Sequence, residues 1–138
     1  MALDEFGLVG AIRERALALH RAGARGPEVV VEAGAALPPL PAAVEVAAYR
    51  IAVEAITNAV RHAGARRCRV LIRASDALEV EVTDDGGGWS EPLRPGVGIR
   101  SMRERAADVG GTLRIERAPG GGTSVLASLP LSFAGSAA

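Results

Sequence analysis

Residues 68–83 read CRVLIRASDALEVEVT. Cys68, Val70 and Ile72, then Leu78, Val80 and Val82, alternate with polar neighbours, the period of two that gives a strand one apolar and one wet face. The link at Ser75 and Asp76 is short enough to return the chain as an antiparallel hairpin, and the outward positions offer Arg69 and Arg73 to Glu79 and Glu81. A hairpin with one apolar face must be covered on that side, so the expected cover is helical.

Working outward from the hairpin, Ala42 to Ala63 contains neither Gly nor Pro and lines up Val44, Ala48, Ile51, Ala55 and Ala59 along one stripe. Val53, Ile56 and Val60 lie elsewhere around it, so this helix is expected to be largely buried. Pro38, Pro39 and Pro41 form a stiff connector before it, and the Val-rich run Glu28 to Ala33 suits a strand. Leu3 to Ala22 spaces Leu3, Phe6, Val9, Ile12, Ala16 and Leu19 as an amphipathic helix, ended by Gly23, Gly26 and Pro27. On the other side, Asp84 to Gly98 is a loop with five glycines and two prolines. Ile99, Met102, Ala106 and Val109 then repeat at helical spacing until Gly110 and Gly111. Thr112 to Arg117 and Thr123 to Leu129 alternate again across the turn Ala118 to Gly122, a second hairpin. The expected fold is a two-layer α/β (α+β) sandwich, a mainly antiparallel five-stranded sheet with three helices on one face. It forms one domain over residues 1–131, with a disordered tail at 132–138.

Composition narrows the function. Of 138 residues 49% are hydrophobic, and 16 basic side chains balance 16 acidic ones, so the chain lacks the basic excess that nucleic acid or an anionic membrane surface would require. Every basic residue is arginine, which excludes lysine Schiff bases and the lysine-bearing phosphate loop. One cysteine, Cys68, allows no internal disulfide and reads as a small core residue; two separated histidines do not suggest a metal cage. No apolar run approaches the roughly 20 residues of a membrane span. A cytoplasmic setting is expected.

Chemistry concentrates in four places. Glu54, Asn58, Arg61 and His62, at steps of four, seven and eight residues, share one side of the long helix. Polar groups on a buried helix cost free energy unless satisfied, and a magnesium nucleotide or simply the neighbouring loops would satisfy them. Asp84-Asp85-Gly86-Gly87-Gly88 stands at a strand exit, where glycines let a ligand come close, or where the chain merely turns tightly. An ionised Asp84 only accepts hydrogen bonds, so it would favour an adenine amino group over the guanine carbonyl at the same place. Gly96-Val97-Gly98-Ile99 runs into a helix start, where free N–H groups attract phosphate, although it is not the dinucleotide fingerprint. Gly120-Gly121-Gly122 before Thr123 reads as a hairpin turn, with a hydroxyl at the strand start.

Taken in order, EAITNAVRHAGA (54–65), DDGGGW (84–89), GVGIRSMRERA (96–106) and GGGTSVLASLPL (120–131) closely resemble the catalytic ATP-binding domain of bacterial sensor histidine kinases, of the nitrate-sensor and membrane-fluidity-sensor type. The likeness extends from about Leu3 to Leu131. It implies the ATP-binding sandwich shared with gyrase, heat-shock chaperone and mismatch-repair ATPases, and the cofactors ATP and Mg2+. It further implies that Asn58 coordinates magnesium, that Glu54 helps position metal or water, and that Arg61, where relatives often carry lysine, contacts phosphate while His62 completes that box. Asp84 corresponds to the adenine-binding aspartate, Gly86 and Gly88 to its neighbouring glycines, Gly96 and Gly98 to the phosphate-side pair, and Thr123 to a threonine that helps hold adenine. Ile99 stands where leucine is usual. The implied partners are a dimerisation domain carrying the phosphoacceptor histidine and, indirectly, a response regulator. No such histidine segment precedes the domain here, and His20 reads as a surface residue, so the chain alone is not expected to autophosphorylate. A stand-alone anti-sigma-like serine kinase or a nucleotide-gated module of the same fold is the other reading of the same motifs.

Overall fold

The computed structural model describes residues 2–22, 27–34, 36–62, 64–86, 98–119 and 121–131, with the backbone alone at 2–6, 22 and 62. Its elements are α1 (Ala2–Ala22), β1 (Glu28–Ala33), α2 (Ala42–His62), β2 (Arg67–Ala74), β3 (Ala77–Asp84), α3 (Ile99–Asp108), β4 (Thr112–Arg117) and β5 (Thr123–Pro130). The strands form one sheet in the order β1-β2-β3-β5-β4. Both expected hairpins are present: β2 pairs antiparallel with β3, matching Val70 to Val82, and β4 pairs antiparallel with β5, matching Ile115 to Val125. The exception to the antiparallel pattern is β1, which lies parallel to β2 with Val31 opposite Val70. A parallel neighbour requires a crossover, and α2 supplies it.

Period two decides which face the helices cover. In β3 the residues Leu78, Val80, Val82 and Asp84 are buried while those between them are partly open, and β5 repeats this from Thr123 to Leu129. The inward residues meet Val44, Ala48, Ile51, Ala55, Ile56 and Ala59 of α2, all at or below 1% exposure. The predicted stripe of α2 is therefore the core-facing one, whereas Val53 and Val60 are only partly buried. α1 flanks α2 and rests on β1, and α3 flanks it on the other side and rests on β4. Gly110 and Gly111 end α3 by returning their N–H groups to the carbonyls of Ala107 and Ala106.

Two local expectations need correction. The helix α1 is not continuous, because Gly7 (φ 68°, ψ −177°) breaks its backbone; beyond the break the expected stripe does face inward, with Ile12 and Ala16 buried and Val9 and Leu19 partly so, joined by Leu8 and Ala11. On the wet face, Arg73 pairs with Glu79 at 2.7 Å and Glu81 at 3.8 Å, but Arg69 turns to Glu32 of β1 at 2.7 Å. The register explains this, since Thr83 rather than a glutamate stands opposite Arg69. His20 is exposed, its Nδ1–H donating to the Pro27 carbonyl at 2.8 Å. The tail at 132–138 lies outside the described residues.

Candidate nucleotide site

Three buried polar side chains stand among the described residues: Asn58, Asp84 and Thr123, exposed by 2%, 4% and 4%. All three belong to the motifs singled out above. Asn58 sits in the last third of α2 between Ala55 and Ala59, whose small side chains let that part of the helix approach the sheet closely. Asp84 is the last residue of β3 and faces the helices by the same alternation that buries Val80 and Val82. Thr123 opens β5 and is the direct cross-strand partner of Asp84. Carboxylate and hydroxyl are thus side by side by register, not by chance proximity of loops. Asp84 Oδ1 accepts the Gly86 N–H at 2.9 Å, which curls the chain as it leaves the strand.

Glycine makes this pairing possible. Gly122 has φ 83°, in the left-handed region, and a Cβ there would overlap the Asp84 carbonyl oxygen. The close approach of the β4–β5 turn to Asp84 therefore requires that residue. Gly98 is the other such position: it precedes α3 with φ 83°, and a Cβ on it would lie 2.5 Å from Glu54 Oε2. The half-buried Glu54 of α2 thus packs directly against the start of α3. Ile99, the first residue of α3, is partly buried against the core. Arg61 is exposed, one turn beyond Asn58. His62 closes α2, with its backbone alone described, and Gly88 and Gly96, along with the rest of 87–97, lie outside the described residues.

The exits of α2 and β3 are fastened together. Asp85 Oδ1 accepts the N–H groups of Arg66 and Arg67 at 2.8 and 2.9 Å, four and five residues after α2 ends. The Arg67 and Arg66 amides hold the Asp85 carboxyl below the usual carboxylate range, and the Arg67 charge adds to this. Beneath them Cys68 is buried, and that burial, followed by the charges of Asp84 and Asp85, pushes its thiol up to about 12. From the sequence Asp85 had no role of its own and Gly122 only that of a turn residue. The doublet Asp84-Asp85 and the glycine before Thr123 were visible, but their contacts depend on strand register.

Glu54 and Asn58 would suit a magnesium ion by their chemistry. A carboxylate and an amide on one helix are hard oxygen ligands of the kind Mg2+ takes in ones and twos, leaving the rest of its shell to water and phosphate. Among the described residues no three His, Cys, Asp or Glu side chains gather into a cage of their own. A depression of about 310 Å3 opens beside Asp84 and Asp85, lined also by Arg67, Arg69, Thr83 and Gly121, while neither Glu54 nor Asn58 lines it.

A family described as "Histidine kinase-, DNA gyrase B-, and HSP90-like ATPase" matches residues 43–132, about two thirds of the chain. The chain belongs to that family. Within it, the similarity is to sensor kinases. Sensor histidine kinase MctS of Rhizobium johnstonii is 35% identical over 136 residues, covering 94% of this chain and 29% of MctS. The blue-light activated histidine kinase of Erythrobacter litoralis EL346 superposes with a TM-score of 0.71 at 29% identity, over 90% of this chain and 42% of that one. The ATP binding domain of PrrB from Mycobacterium tuberculosis gives a TM-score of 0.58 at 26% identity, covering 89% and 93% of the two chains. This ATPase domain, of the type found in sensor histidine kinases, therefore spans under a third of the length of MctS. No helix among its described residues is long and apolar enough to cross a membrane.

Proposed function

We propose that this domain binds Mg-ATP at the end of the sandwich where α2, β3, β5 and α3 meet, and donates the γ-phosphate to a histidine on a dimerisation domain. The observation that carries the reading is the burial of Asn58, Asp84 and Thr123, the buried polar residues among the described ones, in an ATPase-family domain. Asp84 accepts a hydrogen bond from the adenine amino group, with the Thr123 hydroxyl beside it. Asn58 and Glu54 offer oxygens to the metal, Arg61 is assigned to the phosphate, and His62 is assigned to the same nucleotide box. Gly86 and Gly88 are assigned to the base side next to Asp84, and Gly96 and Gly98 to the phosphate side with Ile99 at the start of α3, whose dipole favours phosphate. Magnesium, when bound, supplies charge neutralisation of the phosphates.

The residues contribute chiefly by positioning and by charge stabilisation, which is the usual burden of phosphoryl transfer. Glu54, against the start of α3, orients metal or water and is a supporting group rather than the proton acceptor of the reaction. The parent protein is read as a cytoplasm-facing sensor kinase of the nitrate-sensor or membrane-fluidity-sensor type that signals through a response regulator. The test mixes the domain with a purified dimerisation segment and γ-labelled ATP. Acid-labile, base-stable label on the segment's histidine is expected; label on serine, or none despite ATP binding, contradicts the reading.

A further inference from the structure

Asp84 and Asp85 are consecutive, so the alternation that turns Asp84 inward sends Asp85 to the other side, where it is exposed. Exposed as it is, Asp85 is anchored to the backbone at the start of β2. One of its oxygens receives two N–H groups, from Arg66 at 2.8 Å and Arg67 at 2.9 Å, and its own N–H donates to the Arg67 carbonyl at 3.2 Å. Arg66 in turn accepts the Glu28 N–H at 2.9 Å. Three strands are thus tied at one corner: the start of β1 to the residue before β2, and that residue and the first of β2 to the residue just past β3.

The consequence falls on Asp84. It is the terminal residue of its strand, where ladders fray first, and its last ladder partners are Cys68 and Thr123. A hydrogen bond weakens steeply as its angle closes below about 120°, so a carboxylate that reads a base edge must be held at a fixed angle. We propose that Asp85 is a positioning residue for nucleotide recognition: its clamp on Arg66 and Arg67 fixes the end of β3 so that Asp84 presents its carboxylate to the base at one angle. The inference rests on the reading of Asp84 as the base-recognising group. Triphosphate contacts come from α2 and α3, which the clamp does not orient in the same way, so its loss acts on base choice more than on phosphate binding.

The experiment compares ATP and GTP affinities, by calorimetry, for the parent and for Asp85→Ala, Asp85→Asn and Asp85→Glu, each checked by circular dichroism to be folded. In Asp85→Ala the ATP-over-GTP preference is expected to fall about tenfold, the equivalent of one lost hydrogen bond of ordinary strength. Asp85→Asn keeps an oxygen able to accept both N–H groups and is expected to stay within about twofold of the parent. Asp85→Glu keeps the charge but moves the oxygen by about one carbon–carbon bond, ~1.5 Å, and is expected to behave like the alanine variant. Partial unfolding would weaken both nucleotides by the same factor and leave the ratio unmoved. An unchanged ratio in Asp85→Ala, or an asparagine variant as poor as alanine, overturns the clamp. A parent that shows no preference for ATP overturns the base-recognition reading and the clamp with it, and does so before any variant is compared. Should Asp85→Ala fail to fold, Asp85→Glu against Asp85→Asn decides the question alone.

Discussion

Asp84 has its place because β3 delivers it inward beside Thr123, and its charge leaves it able only to accept. Replacing it by asparagine keeps the shape and removes the charge-assisted bond to the adenine amino group, a bond worth about 1.5–3 kcal/mol. Asp84→Asn is therefore expected to lower the ATP-over-GTP preference roughly ten- to hundred-fold, read by competition against a fluorescent nucleotide; an unchanged preference removes Asp84 from base recognition. Asn58→Asp adds a second carboxylate to a position exposed by only 2%, one turn from Glu54. Magnesium-dependent ATP affinity is expected to drop about tenfold or more, from burial of charge near phosphate, while a variant that binds like the parent contradicts the assignment. Cys68 gives a test independent of ligand. Its raised pKa keeps the folded thiol neutral, so it should resist alkylation at pH 8 and react promptly in denaturant. Because the unfolded thiol ionises from about 9 while the folded one holds its proton to about 12, its contribution to stability is intact below 9 and falls as pH rises between the two. Cys68→Ala should flatten that alkaline decline in denaturant titrations.

At the scale of elements, strand alternation and helix periodicity carried most of the fold. The hairpins β2–β3 and β4–β5, the buried stripe of α2 and the end of α3 at Gly110 all follow from spacing. What spacing did not convey was long-range. The parallel pairing of β1 with β2 depends on the crossover through α2, and Arg69 meets Glu32 only because that pairing exists. The break at Gly7 is likewise invisible to a helical pattern, since one glycine within an apolar stripe reads as tolerated rather than as an interruption of the backbone. The site shows the same division. Asn58, Asp84 and Thr123 were legible as residue types in motifs, whereas the clamp of Asp85 and the need for Gly122 are products of register. Two substitutions test these packing claims. Ile51→Ala, at a wholly buried position on α2, should cost about 2–5 kcal/mol and lower Tm accordingly. Gly122→Ala forces a Cβ into the Asp84 carbonyl at positive φ, and should cost at least the ~1–2 kcal/mol of left-handed strain and also weaken ATP binding.

For the whole molecule, the sandwich brings helix, strand exit and hairpin turn to one end, and among the described residues that end contains the buried polar groups of the core. Acid stability should reflect its corner clamp. The depressed Asp85 pKa means its contribution is complete above the unfolded value near 3.8 and is lost as pH falls through the lower folded value. Trp89, the sole tryptophan, lies in the segment between Asp84 and Gly98 and is a natural reporter of nucleotide. The most direct measurement is a titration of the purified domain with ATP, with and without Mg2+, followed by calorimetry and by Trp89 fluorescence. Saturable binding that strengthens with magnesium, with a matching change at Trp89, is the predicted result. No heat and no fluorescence change with ATP in either condition would contradict the claim that this end of the fold is a nucleotide site.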